Sequence, residues 1–291
     1  MKLSSVLTHV KTMNSAYKMG DFFPSFQQTH SAPLGSSEIP TSGSLYKRIL
    51  QEVQWFRCSE HYIPFPNIDK PIRILHLSDL HIRTRSQGLD KLCSFLGSLS
   101  ADIVVYTGDI ITKGWTKEAL DSVFAVAPKG KLGTFAVMGN WEYWSDAPPH
   151  KWRQILERYG IQLLVEEHVI LEQLAIFGTD DHLAGTNSPL SWKFMDLPYV
   201  ALSHSPAFFP TLCRDPIRLV LSGHAHGGQV RIPFLKALWV PKGTGQYVAG
   251  WFQHEDHHLF VSRGLGWSVA PLRFRCPPEA ACINLVPSTK N

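Results

Sequence analysis

From residue 72 onward, short apolar runs alternate with segments whose apolar residues recur at helical spacing. Five runs have the length and composition of buried β-strands, at residues 72–77, 103–106, 134–138, 199–202 and 219–221. Between them lie three helical stripes: Leu89, Leu92, Leu96 and Leu99; Leu120, Val123 and Phe124; and Trp152, Ile155, Leu156 and Tyr159. Strands that alternate with amphipathic helices predict βαβ units and a largely parallel sheet, so the expected fold class is α/β.

Two further stretches, residues 162–177 and 246–286, have the pattern of strands rather than of helices. They fall outside the alternation of strands and helices. We therefore expect a second sheet, to which the C-terminal end of the chain contributes.

The first 45 residues differ from the rest, since they hold nine serines and only two acidic residues. Apolar residues recur there at helical spacing beside three lysines, at Leu3, Val6, Leu7, Val10, Met13 and Tyr17. This basic amphipathic pattern leaves three interpretations open: a helix docked on its own domain, a membrane-surface anchor, or a disordered tail. We expect residues 1–45 to form this segment with a flexible linker, and residues 46–291 to form one large domain.

Composition narrows the class of protein. The 291 residues carry 28 Lys and Arg against 24 Asp and Glu, a formal charge of +4, which is too small to predict a nucleic-acid partner. Five cysteines without a Cys-x-x-Cys pair predict neither a disulfide framework nor a thiolate zinc site. No apolar run reaches the ~18 residues of a membrane span. We expect a cytoplasmic protein that could contact the inner face of the membrane peripherally.

Residues that can bind metal follow each of the five predicted strands. In chain order they are Asp79 and His81; Asp109; Asn140 with Glu142; His204; and His224 with His226. Ligands of open α/β sheets bind beyond the carboxyl ends of the strands, so these side chains are expected to converge there. In an extended segment, residues i and i+2 project to the same face, which would place each Asp-x-His or His-x-His pair on one side.

Glycines and ligand types refine this prediction. Gly108, Gly139 and Gly223 each precede a candidate ligand, where a missing Cβ permits close backbone approach. Carboxylate, imidazole and amide ligands without thiolate suit manganese, iron or zinc. The spacing alone does not choose among these metals.

Together these motifs resemble the calcineurin-like metallophosphoesterase superfamily, over about residues 60 to 287. The resemblance implies a four-layer α/β/β/α sandwich with a dinuclear metal centre. Carried over residue by residue, it implies one metal held by Asp79, His81, Asp109 and His226, and a second held by Asp109, Asn140, His204 and His224. It also implies a catalytic set of Asp109 as the bridge, Asn140, and His224 as a group that orients the attacking water. Two divalent ions are expected, manganese first, with zinc, iron or magnesium as alternatives.

Further motifs resemble a narrower branch of that superfamily. They are Gly-Gly-Gln-Val-Arg after His226, the Ser-Arg-Gly-Leu-Gly run at 262–266, and the run from Pro271 to Glu279. The branch holds bacterial membrane-associated phosphoesterases and one form of the UDP-2,3-diacylglucosamine pyrophosphohydrolase of lipid A synthesis. We therefore expect a hydrolase of a phosphoanhydride or phosphodiester in a small or lipid-linked substrate. The alternatives are a phosphodiesterase of other small substrates and a non-catalytic metal-binding interaction module.

One departure from the family pattern is Trp141, where the family's Gly-Asn-His-Asp/Glu becomes Gly-Asn-Trp-Glu. The missing histidine usually protonates or stabilises the leaving group, and an indole cannot transfer a proton at neutral pH. A phosphate leaving group has a second pKa of about 6, so cleaving an anhydride needs this help far less than cleaving an alkyl ester. We hypothesise that Trp141 biases the enzyme toward acidic leaving groups; alternatively, Trp141 only packs beside Tyr143 and Trp144. A histidine from elsewhere, such as His182 or the cluster at 254–258, could also replace the acid.

Other residues have weaker support from the pattern. Glu142 is expected to support a ligand rather than bind a metal. Asp180 and Asp181 follow another strand and could orient a histidine ligand, and Arg231, Arg263 and Arg273 could contact an anionic substrate. The histidines at 254, 257 and 258 flank Glu255 and Asp256, a pattern typical of a solvated hairpin turn rather than of a further metal site.

Overall fold

A computed structural model describes residues 51–84, 87–232, 237, 239–268 and 270–288. The predicted amphipathic segment and linker at residues 1–45 lie outside the described residues. Within the described part, twelve strands form two six-stranded sheets. None of the described helices combines the length and the apolar character that a membrane span requires.

The first sheet has the strand order β1-β12-β2-β3-β4-β5. Its strands are β1 (Arg57–Phe65), β2 (Ile72–Leu77), β3 (Ile103–Thr107), β4 (Gly133–Val137), β5 (Gln162–Leu163) and β12 (Glu279–Pro287). Strands β2 to β5 run parallel, β12 is antiparallel to β2, and β1 is parallel to β12.

The second sheet has the order β10-β11-β9-β8-β7-β6. Its strands are β6 (Glu167–Ile170), β7 (Ala175–Gly178), β8 (Tyr199–Leu202), β9 (Ile217–Ser222), β10 (Gly250–His254) and β11 (His257–Val261). The four strands β7, β8, β9 and β11 run parallel, with an antiparallel strand at each edge. As predicted, β10 and β11 form a hairpin whose turn is Glu255 and Asp256.

The predicted helical stripes lie on the helices α1 (Gln87–Leu96), α2 (Lys117–Phe124) and α4 (Pro149–Glu157), except that Leu99 and Tyr159 follow the ends of α1 and α4. Their apolar faces pack on the outer face of the first sheet, in a cluster that joins Leu96, Leu120 and Trp152 to Leu75 and Tyr106. The side chain of Thr116 caps α2 by accepting a hydrogen bond from Ala119 N. Burial of these stripes, rather than helix propensity alone, accounts for helices of only eight to ten residues.

Two further apolar layers complete the fold. One lies between the sheets and joins Ile74 and Val105 of the first sheet to Val200 and Leu221 of the second. The other covers the outer face of the second sheet. It includes a 3₁₀ turn (Pro206–Phe208) and the four-residue helix α5 (Phe209–Leu212). The predicted four-layer α/β/β/α sandwich is thus confirmed, although loops form much of the fourth layer.

One prediction about the second sheet needs correction. The strand-like stretch 246–286 divides between the two sheets, because β10 and β11 join the second sheet whereas β12 lies inside the first. The stretch 162–177 divides in the same way, since β5 extends the first sheet. An apolar run identifies a buried strand but not the sheet that receives it.

Candidate metal centre

Seven candidate ligands come together at the carboxyl ends of the strands. Asp79 and His81 follow β2, Asp109 follows β3, His204 follows β8, and His224 and His226 follow β9. Asn140 begins the short helix α3 (Asn140–Trp144) just beyond β4. All seven side chains are buried. The predicted convergence at one edge of the sheets is therefore present.

The side chains form two groups with the spacing of metal ligands. Asp79, His81 and His226 each offer an atom within 4.8 Å of the others, and Asp109, His204 and His224 do the same. Asp109 lies between the groups, because its Oδ2 is 3.2 Å from His204 Nε2 and 3.7 Å from His81 Nε2. Asn140 Oδ1 lies 3.2 Å from His204 Nε2.

The ring nitrogens have the separation that cation binding requires. His81 Nε2 and His226 Nε2 are 3.0 Å apart, and His204 Nε2 is 3.1 Å from His224 Nδ1. Two nitrogens that each bind one ion at about 2.1 Å and at right angles would be about 3 Å apart. The other ring nitrogens of His81 and His226 are buried and have no hydrogen-bond partner among the described residues. The two short nitrogen–nitrogen separations fit two divalent cations.

Main-chain carbonyl groups orient the remaining two imidazoles. His204 Nδ1 lies 2.7 Å from Thr107 O, and His224 Nε2 lies 2.7 Å from Lys242 O. A carbonyl accepts only from N–H, so each ring carries a proton on that nitrogen, and its other nitrogen points into the centre.

The backbone of the centre is strained. Five candidate ligands have left-handed φ angles, namely 53° for Asp79, 47° for His81, 52° for Asp109, 68° for His224 and 49° for His226. Such conformations are uncommon for residues other than glycine and cluster at functional sites. The prediction of two extended i, i+2 pairs is therefore wrong in its geometry. Tight left-handed turns, not pleated strands, bring these side chains together.

Glycines permit the close approach of the loops, as predicted. A Cβ at Gly108, whose φ is +82°, would lie 2.7 Å from Gly139 N and 2.8 Å from His204 Nδ1. A Cβ at Gly223 would overlap Ser78 Oγ at 1.8 Å and approach Asp79 Oδ2 to 2.3 Å. A side chain at either position would displace candidate ligands.

Glu142 holds the loop that carries Asp109. Its carboxylate accepts backbone hydrogen bonds from Asp109 N (2.9 Å), Ile110 N (2.7 Å), Ile111 N (3.2 Å) and Gly139 N (2.8 Å). Asp109 Oδ1 in turn accepts from Trp141 N at 2.9 Å. Glu142 thus joins the loops after β3 and β4.

The loop 262–266 holds Asp79 in a comparable way. Gly266 N donates to Asp79 O at 2.7 Å, and Leu265 N donates to Ser78 O at 3.0 Å. Arg273, which is fully buried, donates to the carbonyl oxygens of Arg263, Gly264, Gly266 and Cys276. The prediction that Arg273 contacts an anionic substrate is therefore wrong, because its guanidinium group is buried and its two Nη atoms donate to backbone carbonyl oxygens.

Burial keeps three imidazoles neutral. It lowers the pKa of His81 to about 4 and that of His224 to about 4. Burial, together with the nearby His81, lowers the pKa of His226 well below its usual value. At pH 7 these rings therefore present lone pairs, which is the form that binds metal.

The acidic residues and His204 respond differently. Burial raises the pKa of Asp79 to about 6, and burial together with Asp109 raises the pKa of Glu142 to about 7. Burial opposes the charges of His204 and Asp109, but their mutual attraction is stronger. It raises the pKa of His204 well above its usual value and lowers the pKa of Asp109.

A cavity of about 380 Å³ opens onto the centre. Its floor includes Asp109, Asn140, His224 and His226, and its other lining residues are Trp141, Trp144, Leu183, Trp239, Pro241, Lys242 and Ser268. The Trp141 ring stands edge-on to the His81 ring, with centroids 5.8 Å apart, and contacts Trp144 at 5.4 Å. Three tryptophans therefore give the space above a polar floor a largely apolar wall.

Comparison with known proteins places this centre in a family. Residues 72–228, more than half of the chain, match the model described as calcineurin-like phosphoesterase. The chain belongs to the calcineurin-like phosphoesterase family. By family it is a metal-dependent phosphoester hydrolase, and its Asp and His groups could hold the divalent metals.

Several relatives cover most of the chain. The phosphodiesterase YaeI of Escherichia coli K12 is 28% identical over 265 residues, which span 86% of this chain and 96% of YaeI. The uncharacterized metallophosphoesterase YkoQ of Bacillus subtilis 168 is 30% identical over 222 residues, spanning 72% of this chain and 82% of YkoQ. Among solved structures, NAD nucleotidase of Haemophilus influenzae shares 18% identity with a TM-score of 0.39, over 67% of this chain and 50% of the nucleotidase.

Asp181, Arg231 and Arg263, which were predicted to orient a ligand or to contact the substrate, are not among the described residues that line the cavity. Arg263 forms an ion pair with Glu279, with Nη1 and Oε1 3.6 Å apart, and Arg231 N donates to Phe274 O. Asp181 is fully buried, and its Oδ2 accepts from Leu183 N and Ala184 N. Asp181 thus positions the loop that brings Leu183 to the cavity, whereas the carbonyl of Thr107 orients His204.

The predicted histidine substitutes for the missing acid also lie elsewhere. His182 stacks on Phe208, with ring centroids 4.8 Å apart. His254 and His257 flank the β10–β11 turn, as predicted, and His257 Nδ1 contacts Ile217 O. None of them, nor His258, belongs to the described lining of the cavity.

A third group with metal-ligand spacing, Cys58, Glu60 and Cys282, lies on β1 and β12. Arg73 already occupies it, since its Nη2 is 2.6 Å from Glu60 Oε1 and 3.0 Å from Cys282 Sγ. This guanidinium supplies the positive charge that a cation would bring. The group therefore packs the first sheet.

Glu142 was expected to support a ligand, and it holds the loop of Asp109. The sequence pattern did not indicate the other groups that support the centre. Lys242 and Thr107 act through their carbonyl oxygens, and Arg273 acts from within the core. The only signal for Lys242 was the Pro-Lys-Gly turn that contains it, and a turn motif does not show where in the fold the turn will lie.

Proposed function

We propose that the centre holds two divalent cations, manganese first, and hydrolyses a phosphoanhydride or phosphodiester. Asp79, His81, Asp109 and His226 would hold one cation, and Asp109, Asn140, His204 and His224 the other. The observation that carries the proposal is the pair of Asp/His groups joined by Asp109 at the floor of one cavity. Zinc, iron or magnesium would satisfy the same ligand types.

Two cations in such a site supply an activated water and neutralise phosphoryl oxygens. The residues of the chain fix where this chemistry takes place. His204 and His224, each oriented by a carbonyl, point their other ring nitrogens into the centre, while Glu142 keeps Asp109 between the groups. Asn140 faces the cavity, where its amide can donate to a phosphoryl oxygen. The tryptophan walls offer the substrate an apolar surface beside the polar floor.

Trp141 favours an acidic leaving group in this proposal. It lines the cavity at the position where the family pattern has histidine, and no other histidine outside the candidate ligands belongs to the described lining. Departure of the leaving group without protonation is fast only when that group is a stable anion, such as phosphate. Anhydrides therefore fit the site better than alkyl monoesters.

The apolar walls favour a substrate with a hydrophobic part. Trp144 and Trp239 line the cavity and are 52% and 51% exposed, so they form an open apolar rim above the polar floor. UDP-2,3-diacylglucosamine joins an anhydride to acyl chains and matches both features. It is the substrate we propose, consistent with a role in lipid A synthesis.

A hydrolysis screen tests this function. The full chain, loaded with manganese, is incubated with UDP-2,3-diacylglucosamine, other nucleotide anhydrides, diesters and alkyl monoesters, and products are identified by mass spectrometry. We expect cleavage of the diacylglucosamine anhydride and loss of activity after chelation. Asp109→Asn should lose turnover, and Asp256→Asn at the hairpin turn is the matched control. Metal binding without turnover of any substrate would instead support the interaction module.

A second candidate is a phosphodiesterase of other small substrates. The name of the relative YaeI, a phosphodiesterase over 96% of whose length the chain aligns, favours it. The same screen separates the two functions, because preferential cleavage of simple diesters would support this candidate and exclude the lipid anhydride.

We propose further that residues 46–291 form the catalytic domain and that residues 1–45 mediate peripheral contact with a membrane at its cytoplasmic face. The basic amphipathic pattern of residues 3–17 supports this contact. Cosedimentation with anionic vesicles would compare the full chain with one that lacks residues 1–45. Equal unbound fractions would contradict membrane contact.

A further inference from the structure

The turn at residues 241–244 is pinned to the candidate metal centre from two sides. His224 Nε2 donates to the carbonyl oxygen of Lys242 at 2.7 Å. Ser205 Oγ and Ala207 N donate to the carbonyl oxygen of Gly243, at 2.6 and 3.0 Å. Thr244 N closes the turn on Pro241 O at 3.3 Å. The turn therefore has a fixed position beside a candidate metal ligand.

The packing around Gly243 shows how closely the turn approaches. Its φ is +100°, and a Cβ there would lie 2.8 Å from Ser205 Oγ and 3.2 Å from His224 Nε2. Pro241 restricts the conformation on the other side of Lys242. Because the turn is closely packed, the backbone of Lys242 has a fixed position from which its side chain extends.

Lys242 brings a permanent positive charge to the described lining of the cavity. Among the described residues that line the cavity, it is the only lysine or arginine. Its neighbours there include Asp109, the three tryptophans and Leu183, so an anionic group that leaves the centre has this one lysine beside it in the described lining. Lys242 is solvent-exposed, which lets its four-carbon chain follow a departing group.

We infer that the Lys242 ammonium binds the phosphate that leaves when an anhydride is cleaved, and that it replaces the function lost at Trp141. This inference rests on the proposed hydrolase function. The oxygen of the attacking water forms a bond to phosphorus, and the bond from phosphorus to the bridging oxygen breaks. The electron pair stays on the bridging oxygen, and the proton of the water passes to solvent. Lys242 neutralises the new charge without donating a proton.

The test compares Lys242→Met, Lys242→Arg and the control Lys193→Met, an exposed lysine outside the cavity lining. Because His224 contacts the carbonyl of residue 242, these side-chain changes leave the anchor of the turn intact. Two substrates are used: a nucleoside diphosphate sugar, whose leaving group is a phosphate, and bis(p-nitrophenyl) phosphate, whose leaving group is not. Loss of one charged hydrogen bond corresponds to a rate change of about 10- to 100-fold.

We expect Lys242→Met to slow cleavage of the diphosphate sugar by about 10- to 100-fold and that of the aryl diester by less than about threefold. Lys242→Arg should retain most of the anhydride activity, because arginine keeps the charge but cannot donate a proton. Equal losses on both substrates would overturn the inference, as would an unchanged rate for Lys242→Met. An Lys242→Arg variant as slow as Lys242→Met would overturn it as well.

A binding measurement separates this inference from the proposed function. Imidodiphosphate, which resists hydrolysis, is titrated into the manganese-loaded protein while tryptophan fluorescence is recorded. We expect Lys242→Met to weaken its binding by about tenfold and Lys193→Met to leave binding unchanged. Affinity unchanged in Lys242→Met would contradict the inference. If the wild-type protein binds imidodiphosphate through Lys242 but cleaves none of the substrates, the result contradicts the hydrolase function and leaves phosphate binding by Lys242 supported.

Discussion

Alanine substitutions at Gly108 and Gly114 separate the effect of steric crowding at the metal centre from the effect of backbone conformation. Both glycines have left-handed backbones, with φ of +82° and +83°. A Cβ at Gly108 would lie within 2.8 Å of atoms of Gly139 and His204, whereas a Cβ at Gly114 would meet nothing within 4 Å. Substituting alanine at each position therefore imposes the same conformational cost but different steric costs.

The expected magnitudes follow from these two terms. A left-handed alanine costs about 1–2 kcal/mol, and overpacking adds about 1–3 kcal/mol. We expect Gly114→Ala to lower the free energy of unfolding by about 1–2 kcal/mol and Gly108→Ala by about 2–5 kcal/mol. Gly108→Ala should also weaken cation binding by about 10- to 100-fold, because His204 or the start of α3 must move.

Urea denaturation in the presence of a chelator measures the first effect, since bound metal would otherwise contribute to stability. Calorimetric titration with manganese measures the second. Variants that differ by less than about 0.5 kcal/mol in the free energy of unfolding and bind manganese alike would refute the reasoning. That result would mean that the loops at the centre can separate at little cost.

Three further predictions concern the protons released on metal binding, the contribution of Arg273 to stability, and the preference for a leaving group. Because Asp109 raises the pKa of His204 and burial raises the pKa of Asp79 to about 6, while manganese binds the deprotonated forms, loading with manganese should release protons from these groups. Affinity should therefore rise with pH; calorimetric heats independent of the ionisation enthalpy of the buffer would contradict this. Arg273→Leu should lower the free energy of unfolding by about 3–5 kcal/mol in urea, against less than about 1 kcal/mol for the exposed Arg57→Leu, and equal losses would contradict the role of Arg273 in the core. Trp141→His should raise the ratio of alkyl monoester to anhydride turnover by about 10-fold or more in steady-state assays; an unchanged ratio would leave Trp141 as a packing residue.

The central strands and the ligand positions were predictable because two patterns coincide: strand-length apolar runs, and polar residues directly after each run. Apolar runs with polar residues directly after them place chemistry at strand ends, and the bounds predicted for β8 agree with the structure. Strand β1 was not predicted from the sequence, because polar and charged residues interrupt its apolar residues and because it contains Pro64. Such a strand is tolerated at the edge of a sheet, where β1 lies.

Apart from Glu142, the supporting groups were not predictable, for a physical reason. Arg273 is an ordinary arginine in sequence, and only the tertiary fold surrounds its guanidinium with carbonyl groups. The left-handed turn at Asp79 arises from packing against the loop 262–266, nearly two hundred residues away in the chain. Local propensity does not carry such information.

The position of β12 has a consequence for synthesis of the chain. Among the described strands β1 pairs only with β12, which separates it from β2. During synthesis β1 therefore lacks its partner, and β2, which can pair with β3, keeps one edge unpaired until residues 279–287 are made. Such edges recruit other strands, so a nascent chain stalled before Glu279 is the species most prone to aggregate or to need a chaperone.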